Sequence, residues 1–391
     1  MEDFDDMLLV RGDQFLDVNG KIFNVGSSSN NLYNNNANTM GPIENLCWRK
    51  VGTDADAMTR EEYVPHPNMR LHLHDRPKSF LKMCKIIKEE VKKSTIVVAK
   101  MSLLEAIVAS HYAVKYKKTL VLESASHAFA ALWHHGGSPK YKLAAIPLDF
   151  IVKHYHRKAQ YIMYVSQQFM QEKYPSKAVK TGCADVVLPE ADESLLERRI
   201  QKIETKADGE EIVLGLVGAT QAEYRGHDRL IAACGILRNK GYNITIKFLG
   251  GGTADEKRRK CARKWNVEDN VVFCGRLNHE DTMRWFDEVD VLVMPTIVES
   301  LGRAVLEAMS RGCPVIGTKE TALREIVPED CLVNCNDVQR IAEIVEKMIA
   351  DKQYMISVAR TNFEFAKRFT SDKINAKRKE FYDYIRKVEK E

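Results

Sequence analysis

Two glutamates stand eight residues apart in ESLGRAVLEAM, Glu299 in a turn and Glu307 inside a stretch of helical character. A pair at this spacing could be an acid/base couple, two ligands of one metal, two contacts to one substrate, or part of a solvated helix face. Along a helix rising about 1.5 Å per residue, the two carboxylates fall roughly 12 Å apart. Glycosidase pairs work at about 5 to 9.5 Å, and metal ligands must converge on one ion, so neither a shared proton nor a shared metal fits. The amides of Leu301 and Gly302 fall between the two carboxylates at the start of the helix, where free N–H groups beside a glycine attract an anion. Two contacts to one extended ligand, with its phosphates at those amides, suit the spacing. The polar stripe Arg303, Glu307, Ser310 and Arg311 keeps a second reading open, in which Glu307 pairs with Arg303 one turn back on an exposed face.

Two further loops are candidates. In LVGATQAEYRGHD an apolar run ends at Gly218 and Arg225 precedes a helix. A glycine there allows close backbone approach, and a guanidinium can fork to phosphate oxygens. In FLGGGTADE, Gly250 to Gly252 end another apolar run, without the spacing of a dinucleotide fingerprint, so a nicotinamide cofactor is not implied.

These loops need a scaffold that presents them together. Apolar runs such as Ile212 to Val217 and Val289 to Met294 alternate with helical stretches, the pattern of strands buried on both faces in a doubly wound parallel sheet. Ligands of such sheets bind outside the carboxyl ends of the strands. The first half repeats the alternation less cleanly, with strands expected at MLLV, KIFNVG, STIVVA, KTLVLES and YIMYVS, and helices at Leu103 to Tyr116 and about Leu143 to His156. The charged segment Pro189 to Glu211 reads as a connector, giving domains at 1–190 and 191–370, with a last amphipathic helix over 371–391 that can pack back on the first domain through Ile374, Phe381, Tyr382 and Ile385. SSSNNLYNNNANT, Ser27 to Thr39, reads as a polar surface loop and, following a strand, as a candidate active-site loop.

Composition narrows the class. At 391 residues, 45% hydrophobic and 29% charged, the chain suits two ordinary cores rather than disorder. No apolar run approaches a membrane span of about 18 residues, and MEDFDDMLLV lacks the basic region of a signal peptide, so a cytoplasmic protein is expected. Nine cysteines lie scattered without CxxC pairs, and only Cys331 and Cys335 are close; they read as reduced core residues, a zinc site being the alternative. A charge of +5 is too small to imply a nucleic-acid partner. KSFLKMCKIIKEEVKK (Lys78 to Lys93) places Phe80, Cys84, Ile87 and Val91 at helical spacing and leaves lysines outside, either a solvated face or a patch for anionic lipid.

PTIVESLGRAVLEAMSRGCPVIGT, preceded by VGATQAEYRGHDRLIAA and NVVFCGRL, resembles the nucleotide-sugar domain of family 4 glycosyltransferases, whose E-x7-E motif is the glutamate pair. The similarity runs from about Val213 to Phe369. KTLVLES, ALWHHGG and YIMYVSQQFMQEKYPS look like the acceptor-side domain of the branch that builds capsular and exopolysaccharides. The resemblance implies a GT-B fold, two Rossmann-like domains facing across a cleft. It implies a retaining, metal-independent hexosyltransferase without a cofactor, moving sugar from a UDP- or GDP-sugar to a glycan or lipid-linked acceptor, cytoplasmic or peripheral at the inner membrane face. Glu299 would face the donor sugar, Glu307 the ribose, and Leu301, Gly302 and Arg225 the diphosphate. Gly218 would leave room for it. Where the family has an arginine after that glycine this chain has Ala219, and Arg276 or Arg303 would supply the missing contact. A first-domain histidine is implied at the donor sugar; His127 is the best placed, with His134 and His135 as rivals. The DxD-like strings at Asp3 and Asp54 lie in polar segments and are not expected to hold metal. The alternatives are a sugar-phosphate or glycogen-type synthase on the same fold and a catalytically inactive GT-B subunit that binds glycan or a partner.

Overall fold

The computed structural model describes residues 7–25, 30–58, 60, 62–101, 103–134 and 139–391. By its internal contacts the chain forms two units. One comprises Met1–Ala128, Ile146–Asp185 and Asp372–Glu391; the other comprises Phe129–Ala145 and Val186–Ser371.

The first unit is built on eight strands among the described residues. Those are β1 (Met7–Val18), β2 (Lys21–Asn24), β3 (Ile43–Val51), β4 (Met69–Asp75), β5 (Ile96–Lys100), β6 (Thr119–Ser124), β7 (Tyr161–Tyr164) and β8 (Val179–Gly182). They form a sheet in the order β4-β3-β1-β5-β6-β7-β8, with β2 antiparallel to β1 and every other pairing parallel. The expected strands are present, and β3, β4 and β8 are additional. The sequences of β3 and β4, IENLCWRKV and MRLHLHD, are too charged to read as buried strands, yet the charges are matched in place. His72 on β4 bonds Glu90 through Nδ1 at 2.8 Å and lies 3.4 Å from Glu44 on β3, and His74 is 3.4 Å from Glu90.

Two further expectations for the first unit are corrected. Asn30–Met40, within the segment read as a loop, is a helix; Asn36, Ala37, Thr39 and Met40 are buried, so tertiary packing overrides the turn preference of asparagine. The remainder of that segment, residues 27–29, lies outside the described residues. In the lysine-rich helix Phe80–Lys93 the buried stripe is Met83, Ile87, Glu90 and Val91, while Phe80 is 54% exposed. The inward face therefore starts one turn later than the apolar spacing suggests.

The helix Ser371–Lys390 buries Ile374, Phe381, Tyr382 and Ile385, as its periodicity predicts. Residues from it join the first unit through polar contacts as well. Arg378 and the Tyr382 hydroxyl both donate to Glu123 at the end of β6, and Arg386 donates to the Met40 and Pro42 carbonyls. Burial is the largest influence on Glu123 and favours its neutral form, yet Arg378, Lys100 and Arg11 together hold its pKa below the usual carboxylate value.

In the second unit β9 (Ile212–Val217), β10 (Ile244–Leu249), β11 (Val271–Gly275), β12 (Val291–Val293), β13 (Val315–Thr318) and β14 (Leu332–Val333) form a parallel sheet in the order β11-β10-β9-β12-β13-β14. The order reverses between β9 and its neighbours β10 and β12, the switch point at which doubly wound sheets open for ligands. The connector contains the helix Glu193–Thr205, and it is integral to this unit. Arg199 is 3% exposed and donates to the carbonyls of Phe286, Val289 and Arg311.

Five of the nine cysteines are buried and all nine are free thiols. The Asp54 string starts a short helix in which Asp56 closes a capping box with Thr53. Asp3 lies outside the described residues.

Candidate active site

The loops that follow β9, β10 and β12 are drawn together at the switch point by backbone proximity. Gly250 has φ +132°, and a Cβ there would sit 2.5 Å from the Gly218 carbonyl oxygen. Gly226 has φ +87°, and a Cβ there would collide with the Pro295 carbonyl after β12. Both positions therefore require glycine, for conformation and for space. The Ile297 amide then donates to the Tyr224 carbonyl at 2.9 Å, joining the β12 loop to the β9 loop.

The β9 loop is fixed from beneath by a buried arginine. Arg258, 1% exposed, donates through Nε and Nη2 to the Thr220 carbonyl at 3.1 and 2.9 Å and through Nη1 to Asp228 at 2.7 Å. Thr220 Oγ1 donates to Asp255 at 2.6 Å. His227, buried against Phe248, lies with Nε2 3.3 Å from the Gly218 carbonyl; burial and then Arg258 push its pKa down to about 4, so it stays neutral. Nothing in the run DEKRRKCARK marks Arg258 off from its basic neighbours, and sequence reasoning missed it.

On this platform the structure brings Arg225 and Glu299 together. Arg225 Nη1 donates to Glu299 Oε2 at 2.6 Å, with both side chains partly exposed. The second carboxylate oxygen of Glu299 accepts from the Ser300 amide at 3.2 Å, and its own carbonyl accepts from Ala322 N at 3.1 Å. The Arg225 guanidinium also lies over the Tyr224 ring, 5.2 Å from its centroid. A Cβ on Gly218 would meet Arg225 Cγ at 2.8 Å, so that glycine makes room for the arginine stem.

The helix after Glu299 is shorter than expected, Arg303–Met309, with Gly302 as its N-cap at φ +103°. Leu301 and Gly302 are buried just before it. A Cβ on Gly302 would be 2.6 Å from Leu323 Cδ2. Arg303 is exposed, and so is Arg276, whose side chain lies against Gly251 in the β10 loop.

Glu307 differs from the surface alternative. Its side chain is partly buried and makes no ion pair with Arg303, and among the described residues it has no hydrogen-bond partner. Burial raises its pKa above the usual carboxylate value, opposed by the weaker attraction of His279 and Arg303. An unpaired, desolvated carboxylate is a costly arrangement for a helix face without a further role.

Of the histidines, His127 belongs to the first unit, packed edge-on against Tyr174 and Phe169 with centroids 5.7 and 6.3 Å away. His134 belongs to the segment grouped with the second unit and lines a cavity with Tyr224 and Ile297. His135 lies outside the described residues.

Solved structures show the fold. HepE of Anabaena, in complex with UDP-glucose, superposes with a TM-score of 0.65 over 97% of this chain and 99% of its own at 17% identity. The fold is GT-B, as the resemblance implied. Residues 197–364, in the second unit, match the model of glycosyl transferases group 1. Protein CapJ of Staphylococcus aureus is 28% identical over 285 residues, 71% of this chain and 70% of CapJ. The amylovoran biosynthesis glycosyltransferase AmsK of Erwinia amylovora is 25% identical over 158 residues, 37% of this chain and 39% of AmsK.

Proposed function

We propose that this protein is a retaining hexosyltransferase that moves a sugar from a UDP- or GDP-linked donor to a hydroxyl of a glycan or lipid-linked acceptor during surface polysaccharide synthesis. The observation that carries the reading is the contrast between the two glutamates. Glu299 is held by a cation beside the switch point, whereas Glu307 is partly desolvated and lacks a partner. The biosynthetic role named for AmsK and the UDP-glucose bound by HepE support the donor and product classes.

On this reading Arg225 turns to the donor diphosphate, beside the amides of Leu301 and Gly302, and Glu299 is released to the sugar hydroxyls. Gly218 keeps the backbone close, Arg276 and Arg303 add positive charge where Ala219 has none, and Glu307 accepts from the ribose. The bond from the anomeric carbon to the diphosphate breaks as the acceptor oxygen bonds that carbon on the same face, and the acceptor's proton passes to the departing diphosphate. Arginine stabilises the charge that develops on the leaving group, so no metal is required in this scheme. His127 remains the first unit's choice for a contact to the donor sugar, on the resemblance alone.

Among the described residues no helix is long and apolar enough to cross a membrane. Phe80 and Leu81, 54% and 77% exposed beside Lys82 and Lys85, support peripheral contact with anionic lipid.

Calorimetric titration with UDP and GDP in EDTA tests the donor site. One of the two binds in the micromolar range; heat from neither would overturn the reading.

A further inference from the structure

The second unit holds a cavity of ≈ 530 Å³, within the size range of small-molecule sites (about 300 to 1,000 Å³). Trp133, His134, Tyr141 and Lys142 line it together with Tyr224 and Arg229. Tyr224 directly precedes Arg225, and Ile297, which also lines the cavity, is two residues before Glu299. The cavity therefore lies alongside the Arg225–Glu299 pair, and none of the donor contacts proposed above occupies it.

Its charges are unbalanced. The two acids on its lining are matched elsewhere: Asp228 by Arg258 at 2.7 Å, and Glu223 by Lys257. The bases are not. Arg229 donates to two neutral oxygens, Asn336 Oδ1 at 3.0 Å and the Pro295 carbonyl at 3.2 Å, and Lys142 lies over the Trp133 ring at 5.6 Å. Among the described residues neither has a carboxylate within ion-pair distance. His134 feels both: burial, then Lys142 and Arg229, lower its pKa, leaving a neutral imidazole that can donate or accept. A neutral sugar would need the rings and the imidazole, which offer apolar faces and a hydrogen bond. It would leave two cations without a role. An oxyanion on the sugar would engage them in charge-assisted bonds.

We propose that this cavity binds a saccharide bearing an oxyanion, either the carboxylate of a uronic acid or a phosphate ester, and that such a saccharide is the acceptor. The acceptor role rests on the transferase reading above; the selectivity for negative charge does not.

The test is calorimetry on the full chain saturated with UDP, using methyl glucuronide, glucose 6-phosphate and neutral methyl glucoside. At least one acidic saccharide binds about tenfold or more tightly than the neutral one, a difference of about 1.4 kcal/mol, and the stronger of the two identifies the oxyanion. Lys142 is exposed, so Lys142→Ala and Lys142→Glu should fold normally; both weaken the acidic saccharide, the second more, and leave UDP affinity unchanged. Equal binding of acidic and neutral sugars, no binding of either acid, or an indifferent Lys142→Glu variant would overturn the proposal while UDP binding keeps the donor reading intact. A loss of UDP affinity in Lys142→Glu would overturn it by giving the cavity to the nucleotide. Failure of UDP and GDP to bind the wild type would instead remove the donor reading and the acceptor role with it.

Discussion

Arg225 and Glu299, 74 positions apart in sequence, meet at 2.6 Å where the β9 and β12 loops converge. In the absence of donor, each neutralises the other. On the proposed reading, a diphosphate arriving at Arg225 would exchange one oxyanion partner for another, so the pair would hold the site in register without a large net cost of breaking it.

Glu299→Gln should keep the side chain's shape and remove its charge. Transfer falls by about a hundredfold or more, equivalent to roughly 2.7 kcal/mol of transition-state stabilisation, while UDP or GDP affinity changes less than about threefold. Single-turnover assays with calorimetry separate the two. An unchanged rate would take Glu299 out of the mechanism.

Arg225→Ala should act on binding first. It strips the diphosphate of its guanidinium and leaves Glu299 without its ion-pair partner, so nucleotide affinity drops by about tenfold or more. Restoration of most of that affinity by Arg225→Lys would indicate that charge matters more than the forked geometry. Unaltered affinity in Arg225→Ala would exclude the phosphate role.

Glu307→Gln carries opposite signs for stability and binding. The folded state raises this carboxyl's pKa, so its favourable contribution is complete below the unfolded value and is lost as pH rises through the folded one. At pH 7 the native state therefore bears a desolvated charge that glutamine lacks. The variant should melt higher by about 1 to 3 °C at pH 7, with the gain shrinking towards pH 4, and should bind nucleotide more weakly. Weaker binding with no gain in melting temperature would argue that Glu307 has a partner in solution.

A pH profile should expose the cluster on β4. The hydrogen bond to Glu90 raises the pKa of His72, and the bond from His72 is the largest cause that brings Glu90 down to about 2. The histidine's contribution is present below its unfolded value near 6.5 and fades as pH rises through the elevated folded one. The glutamate's is present above about 4.5 and fades as pH falls towards 2. Stability of the first unit should thus peak between about pH 4.5 and 6.5 by this cluster, and Glu90→Gln should flatten the peak in thermal melts. A profile identical in the variant would show that other groups set it.

Arg199→Ala should reveal the connector as structure. Three carbonyls lose their buried donor, and a cost of about 3 kcal/mol in urea unfolding is expected. A cost under about 0.5 kcal/mol would reduce the helix Glu193–Thr205 to a surface linker.

The second unit was legible because parallel strands buried on both faces leave unbroken apolar runs, as IVLGLV and VLV do. The first was less so. MRLHLHD hides a strand whose histidines depend on Glu44 and Glu90 from other elements, and the asparagine-rich helix Asn30–Met40 is set by burial rather than propensity. In the candidate site, types and spacing singled out Glu299, Glu307 and Arg225. They could not show that Arg225 grips Glu299 or that Glu307 has no partner, because both facts depend on loops from separate strands. Lys142 left no signal, and His134 stood out only as a rival of His127 for the donor sugar; the cavity they line arises only where their segment meets Arg229.

The helix Ser371–Lys390 clasps Glu123 and the Met40 carbonyl, although the whole of 186–371 is made before it. During synthesis the second unit can close as soon as its own residues have emerged, whereas the first must wait, with the end of β6 lacking Arg378, until residues 372–391 have followed it. The unit that begins first is completed after the one that follows it, and loss of residues 372–391 should harm the earlier unit while sparing the later one.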